Sequence, residues 1–169
     1  MMRHIASSTS ESTLDDFDAD QVQPNAIDLK IDKIFKLNNK TFEISETTKV
    51  HRGSELLMPG MNDSWQLLVG IYEIIMQGEI SIGPNEAGFI ITRSTLNRNG
   101  LFITSGLYDS GYNGVMAGAL HVTGGPAIIQ RGARVGQFLL FEAESLNQYS
   151  GSYGSGSNHD AKYATGVQH

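Results

Sequence analysis

From Ala26 onward, apolar and polar residues alternate in short runs of the kind that half-buried β-strands produce. Turn formers such as Asn99-Gly100 and Gly124-Gly125-Pro126 separate these runs. Many short strands at close spacing predict an all-β domain, arranged as a sandwich or a distorted barrel. The predicted strands cover residues 27–31, 41–44, 66–69, 72–76, 79–82, 88–92, 101–104, 115–122, 127–130 and 134–143.

Three segments depart from this pattern. Residues 92–100 start with an N-cap candidate, Thr92, and end with Gly100, so we expect one short helix there. Residues 1–24 are polar and acidic, which predicts a mobile N-terminal arm in front of a β domain over residues 25–146. Residues 147–169 are rich in Gly, Ser, Tyr and Asn and predict a flexible C-terminal tail.

Composition and charge narrow the functional classes. The formal charge of −6 argues against a general binder of nucleic-acid polymers, which needs a basic face. The absence of cysteine excludes thiol nucleophiles and the paired-cysteine zinc site of nucleobase deaminases. No apolar run approaches the ~20 residues of a membrane span, and the start of the chain lacks the apolar run of a secretory signal. We therefore expect a cytoplasmic protein with no membrane partner.

The tripeptide Arg93-Ser94-Thr95 opens the expected helix and is a candidate anion site. Backbone N–H groups and hydroxyls at a helix start can bind an anion, and an arginine adds a planar charged fork for phosphate oxygens. The same residues also fit a plain N-cap beside one solvated arginine.

Residues 106–114 form a glycine-rich hairpin that contains one carboxylate, Asp109, and the aromatic residues Tyr108 and Tyr112. A tight hairpin of this kind can read a pyrimidine edge through its backbone, with a tyrosine as a rigid wall. Asp109 could then accept a proton from water. The alternative is an Asp-Ser-Gly turn that is there for its backbone angles.

Two further stretches carry candidate residues. Gln137 is a polar residue on the apolar strand 134–143, next to Gly136, where a ligand can approach closely. The tail contains Lys162 and three tyrosines, so it could fold over a nucleotide and supply a cation and a stacking ring. Its composition equally fits a disordered terminus.

The order of these pieces resembles the dUTPase and dCTP deaminase superfamily over residues 22–163. Asn-Ala-Ile-Asp-Leu at 25–29 resembles the first family motif, and Arg-Ser-Thr-Leu-Asn-Arg-Asn-Gly-Leu at 93–101 resembles the second. Gly-Leu-Tyr-Asp-Ser-Gly-Tyr-Asn-Gly at 106–114 is similar to the third, and Arg-Val-Gly-Gln at 134–137 to the fourth. The ending Asp-Ala-Lys-Tyr at 160–163 resembles the deaminase tail.

This resemblance implies a jelly-roll-like, β-clip-type homotrimer with three active sites at subunit interfaces, which hydrolyses dUTP to dUMP and pyrophosphate with Mg²⁺. Asp109 would activate the water that attacks the α-phosphorus, and Asp28 would help to hold the hydration shell of the magnesium ion. The implied phosphate-binding residues are Arg93, Ser94, Thr95, Gln137 and Lys162. The implied base- and sugar-binding residues are Gly106, Leu107, Tyr108 and Tyr112.

The residue at position 119 separates the two activities of the superfamily. Metal-free deamination needs a glutamate that moves protons between water and the cytosine ring, and in the deaminases it lies ten residues after the aspartate. Here that position is Ala119, which transfers no proton. The leading hypothesis is therefore a dUTP pyrophosphatase. The alternatives are a bifunctional deaminase, a hydrolase for a modified deoxyuridine triphosphate, and a non-catalytic nucleotide sensor.

Overall fold

The computed structural model describes residues 1–165 of the chain. These residues form thirteen β-strands, two short α-helices and two 3₁₀ turns, at Ala19–Gln21 and Met61–Asp63. Neither α-helix has the length or apolar character needed to span a bilayer. The strands are β1 (Met2–Arg3), β2 (Thr13–Leu14), β3 (Ile27–Leu37), β4 (Glu43–Ile44), β5 (Lys49–Val50), β6 (Ser54–Leu57), β7 (Ser64–Leu67), β8 (Gly70–Ser81), β9 (Glu86–Thr92), β10 (Leu101–Thr104), β11 (Asn113–Val122), β12 (Ala127–Gln130) and β13 (Arg134–Glu142). The helices are α1 (Ser94–Asn97) and α2 (Ala161–Thr165).

Nine of the strands form one curled sheet, whose main order is β1-β13-β3-β8-β11-β10. Strands β2, β6 and β9 pair with β8, β3 and β13. The long strand β3 changes partners along its length: its first residues pair with β13, and its later residues pair with β8 and β6. This change of partner bends the sheet around the core. The predicted all-β fold is confirmed.

Alternate residues of the central strands build the core, because successive side chains of a strand point to opposite faces. Ile34 of β3 and Ile74 of β8 are fully buried in the main apolar cluster. The neighbouring residues Phe35 and Ile75 belong to a second, smaller cluster, where they pack against Tyr163 of α2. The C-terminal segment therefore covers one face of the same two strands.

Two predicted elements need comment. The runs at 72–76 and 79–82 belong to one strand, β8, which continues through a β-bulge beside Gly78 (φ +83°). The predicted helix at 92–100 is confirmed as α1, but Thr92 does not cap it. The Thr92 hydroxyl bonds instead to the backbone of Ile103, and Arg93 occupies the N-cap position. Gly100 (φ +73°) follows the helix in the left-handed conformation.

Residues 1–24 lie against the β domain. Strand β1 pairs with β13, β2 pairs with β8, and Ile5 and Leu14 are buried. The buried carboxylate of Glu86 accepts hydrogen bonds from the backbone N–H (2.8 Å) and hydroxyl (2.5 Å) of Ser12, and it pairs with Arg3 at 3.1 Å. Polar composition alone cannot reveal this anchoring, because the partner carboxylate lies 74 residues along the chain.

The Glu86 anchor predicts an acid-sensitive contribution to stability. Burial alone would raise the pKa of Glu86, but the hydrogen bonds from Ser12 and Arg3 outweigh burial and hold the pKa below the usual value of a glutamate. A lowered folded-state pKa contributes stability above the unfolded pKa, and that contribution is lost as the pH falls through the folded value.

We expect Glu86→Gln to lower the free energy of unfolding at pH 7 by roughly 2–3 kcal/mol, since it removes charge-assisted hydrogen bonds. The difference from the wild type should shrink below pH 4.5. Urea unfolding at pH 7 and at low pH measures both. The control is Glu142→Gln, the half-exposed second partner of Arg3, which should cost about 1 kcal/mol or less. Equal losses for the two variants would contradict the anchor.

Candidate functional site

Four residues from three of the sequence motifs meet around one buried carboxylate. Asp28 of β3 is fully buried, and Gln137 lies opposite it in β13 and donates a hydrogen bond to Asp28 Oδ1 at 3.0 Å. The guanidinium groups of Arg93 and Arg134 lie 3.4 and 3.6 Å from Asp28 Oδ2. We call Asp28, Arg93, Arg134 and Gln137 the arginine cluster.

The arginine cluster presents cationic groups at the surface. Among the described residues, Asp28 Oδ2 has no hydrogen-bond partner, and its contacts are the two ion pairs. One carboxylate therefore fixes two arginines, whose side chains keep 31% and 36% of their surface exposed. The exposed residues Ser94 and Thr95 follow Arg93 in α1. Arg134 also lies 3.8 Å from the exposed Asp20. Fixed guanidinium forks beside hydroxyls suit phosphate oxygens.

The surroundings of Asp28 do not fit a resident metal ion. Two guanidinium groups already face the carboxylate oxygen that lacks a hydrogen bond, and a cation there would meet like charges. Within residues 1–165, no group of three or more His, Cys, Asp or Glu side chains is arranged to hold a metal.

A second site lies beside the hairpin between β10 and β11. It is a cavity of about 360 Å³, which we call the tyrosine pocket. The hydroxyl groups of Tyr108 and Tyr112 donate to the backbone oxygens of Ala117 and Val115 at 2.9 and 2.7 Å. Burial raises the pKa of both phenols, so they remain neutral donors. The pocket is lined by His51, Glu73, Gly106, Leu107, Tyr108, Tyr112, Ala117, Gly118, Tyr149, Tyr153, His159, Asp160 and Tyr163.

The structure thus gathers the predicted site residues into two groups. Gly106, Leu107, Tyr108 and Tyr112 line the tyrosine pocket, whereas none of the arginine cluster does in the described chain. Asp109 belongs to neither group. It is exposed at the turn before β11, where its backbone oxygen accepts a hydrogen bond from the Tyr112 N–H at 3.0 Å.

Glu73 is a pocket residue that the sequence did not reveal. Strands β8 and β11 pair so that Glu73 lies directly opposite Ala119, and directly opposed side chains point to the same face of a sheet. An acid therefore lies across from Ala119, the position at which the sequence lacks the glutamate expected of a deaminase. The only local sign of Glu73 in the sequence was a charged residue inside the apolar run 72–76. Its position opposite Ala119 depends on the register of strands β8 and β11.

The Glu73 carboxylate is fully engaged by three groups, which make four hydrogen bonds to it. It accepts hydrogen bonds from the hydroxyls of Ser54 (2.5 Å) and Tyr163 (2.6 Å), and both of its oxygens lie 3.0 Å from Lys162 Nζ. Burial alone would raise the pKa of Glu73, but the bonds from Ser54 and Tyr163 and the charge of Lys162 outweigh burial and lower it. Glu73 is therefore an ionised acceptor.

Glu73 fastens the C-terminal segment over the pocket. Tyr163 is buried, its ring meets Phe35 edge-on at 5.8 Å, and its backbone oxygen accepts from Lys33 Nζ at 2.7 Å. Lys162, a predicted phosphate ligand, pairs with Glu73 instead. The tail was expected to be flexible, but Tyr163 fastens it to the sheet, and residues 166–169 lie outside the described chain.

Comparison with known proteins places this geometry in a family context. The model of the family described as dCTP deaminase-like matches residues 2–143. The chain is 32% identical to a probable deoxyuridine 5′-triphosphate nucleotidohydrolase of Halobacterium salinarum, across 79% of this chain and 83% of the relative. It is 30% identical to the deoxyuridine 5′-triphosphate nucleotidohydrolase of Methanocaldococcus jannaschii, across 88% and 97%.

One solved structure shares the fold. The 2′-deoxycytidine 5′-triphosphate deaminase of Agrobacterium tumefaciens superimposes with a TM-score of 0.60 at 18% identity, over 81% of this chain. The match spans 45% of the length of that deaminase chain.

The contacts of Glu73 predict how the C-terminal segment responds to its loss. In Glu73→Gln the amide cannot pair with Lys162, so we expect backbone hydrogen exchange in residues 158–165 to accelerate by roughly tenfold. Hydrogen–deuterium exchange followed by mass spectrometry measures this. The matched control is Glu55→Gln in β6, where the glutamate is exposed. Unchanged exchange in Glu73→Gln would show that other contacts hold the segment.

Proposed function

The chain belongs to the dCTP deaminase-like family, and on that premise we propose that it hydrolyses dUTP to dUMP and pyrophosphate. The choice of hydrolysis over deamination rests on the acids in the tyrosine pocket. Position 119 is alanine, and the acid opposite it, Glu73, is ionised and saturated by hydrogen bonds. The relatives named as deoxyuridine triphosphate nucleotidohydrolases support the same choice.

The tyrosine pocket would hold the uracil and the deoxyribose. The backbone of residues 106–112 carries N–H and C=O groups that can pair with the edge of a pyrimidine. Tyr112 keeps its hydroxyl bonded to the Val115 oxygen, so its ring would be a fixed wall against the sugar. Gly106, Leu107 and Tyr108 complete this part of the proposed site.

The arginine cluster would bind the phosphates. Arg93 and Gln137 would contact phosphate oxygens, and the hydroxyls of Ser94 and Thr95 would add donors beside them. Asp28 would keep both arginines aligned, because it is their shared buried partner. Phosphoryl transfer depends mainly on alignment and charge neutralisation, which this set of residues can supply. The phosphate role of Lys162 requires release from Glu73.

Magnesium would enter as part of the substrate, as a magnesium–triphosphate complex. The carboxylate of Asp28 faces two guanidinium groups, so a resident ion bound at Asp28 has no support from its surroundings. A metal ion on a triphosphate neutralises phosphate charge, and the role of this chain is to bind and orient that complex.

Asp109 would activate the attacking water, and a partner copy would bring it to the phosphates. Within the described part of one chain, no residue of the arginine cluster lines the tyrosine pocket, and Asp109 is exposed in the hairpin. A complete site would therefore combine the hairpin of one chain with the arginine cluster of another. A homotrimer, as the family resemblance implies, would form three such sites by symmetry.

Deamination is the competing activity, and the pocket argues against it. A proton shuttle must exchange protons with both water and the base. Glu73 accepts four hydrogen bonds from three groups and has a lowered pKa. The other acid in the pocket, Asp160, accepts from the Gly154 N–H at 2.7 Å and pairs with His159 at 3.0 Å. Both pocket acids are thus occupied as acceptors.

We expect purified protein with dUTP and Mg²⁺ to release pyrophosphate, and Asp109→Asn to lower kcat by about 10²–10⁴-fold, because the amide cannot take the proton of the attacking water. A coupled pyrophosphate assay measures the rate. Asp63→Asn, a change of an exposed aspartate in a distant surface turn, is the control and should leave the rate unchanged.

Two results would contradict the assignment. Full activity in Asp109→Asn would remove the proposed base. Conversion of dCTP to dUMP by the wild-type protein would show that the pocket performs deamination in spite of Ala119.

A further inference from the structure

A groove next to the tyrosine pocket has a basic lining, of which the proposed reaction uses only Lys162. Its volume is about 860 Å³, and in the described chain no aspartate or glutamate lines it. We call it the basic groove. Its lining residues are Lys40, Lys49, His51, Arg52, Gly53, Ser152, Ser157, Asn158, His159 and Lys162.

Three cations of the basic groove are unusual within this acidic protein because, in the described chain, they form no ion pair with an acid. The chain has twelve lysines and arginines and a net charge of −6. Seven of the twelve form ion pairs in the described structure. Three of the remaining five, Lys40, Lys49 and Arg52, line this groove. Unneutralised charge is therefore concentrated at one place on the surface.

The groove adjoins the tyrosine pocket. His51 and His159 line both cavities, and their ring centroids lie 4.8 Å apart. Lys49 also lies 5.2 Å from the ring of Tyr153, which lines the pocket. A ligand with an aromatic end and an anionic chain could occupy both.

The electrostatic state of His51 agrees with a positive groove. Burial lowers the pKa of His51, and the charges of His159, Lys49 and Lys162 lower it further, against a smaller opposing effect of Glu73. A bound anion would compensate these cations and raise the pKa of His51.

We propose that the basic groove is a second anion site, separate from the arginine cluster, which binds a linear polyphosphate. The three unpaired cations supply the charge, and the serine and asparagine side chains of the C-terminal segment supply neutral donors. The bound chain would be either free pyrophosphate or the polyphosphate of a nucleotide whose base occupies the tyrosine pocket, and in the second case the groove would take that chain in place of the arginine cluster. The identity of the bound chain rests on the proposed function, whereas the affinity of the groove for polyphosphate does not.

The test is binding of sodium tripolyphosphate to the full chain, measured by calorimetry. We expect Lys40→Gln and Arg52→Gln each to weaken binding by roughly fivefold, since each removes one charge next to the anion. The matched control is Lys36→Gln, which should change the affinity little. Lys36 is exposed, lies outside the groove and forms no ion pair in the described structure. These residues are exposed, so all three variants should fold.

A local readout separates the groove from the arginine cluster. The pKa of His51 can be measured from the NMR signal of its ring. Tripolyphosphate should raise this pKa in the wild type and in Arg93→Gln alike. The proposal is overturned if the groove variants bind as tightly as Lys36→Gln, or if the His51 pKa stays unchanged at saturation.

The source of the bound chain follows from competition. If a non-hydrolysable dUTP analogue abolishes the His51 response to tripolyphosphate, the groove holds the chain of the nucleotide. If the response persists with the analogue bound, the groove takes free polyphosphate. Both results support the anion site. Neither depends on turnover, so a failure of the proposed hydrolysis would not be mistaken for a failure of the groove.

Discussion

The arrangement of the candidate site depends on one buried carboxylate. Asp28 is fully buried in β3 and joins residues that are far apart in sequence, because Gln137 bonds to one of its oxygens and Arg93 and Arg134 face the other. A buried charge is costly unless it is paired, so the two arginines and the aspartate stabilise one another's positions. Two guanidinium groups are thereby held at the surface with part of their donor capacity free.

The second constraint is the carboxylate of Glu73, which lines the tyrosine pocket. It binds Ser54 of the sheet together with Lys162 and Tyr163 of the C-terminal segment. The same contacts close one side of the tyrosine pocket and saturate the acid opposite Ala119. The same hydrogen bonds thus fasten the segment and occupy the Glu73 carboxylate.

The sequence predicted the parts of the fold that depend on local alternation. Strands Leu101–Thr104 and Ala127–Gln130 were predicted to the residue, and the helix at Ser94–Asn97 lies inside its predicted range. Strands β1 and β2 were not predicted, because the polar segment that contains them is fastened by the distant Glu86. Glu73 was missed for a similar reason. Its position opposite Ala119 follows from the pairing of β8 with β11, which no local pattern specifies.

The central claim is that a dUTP site combines the hairpin of one chain with the arginine cluster of another, and subunit mixing tests it most directly. Asp109→Asn and Arg93→Gln should each be nearly inactive alone. If the two halves come from different chains, random trimers of both variants should recover about a quarter of wild-type activity, since one site in four then has both intact parts. If the mixture stays as inactive as its components, the two halves belong to one chain and the account is contradicted.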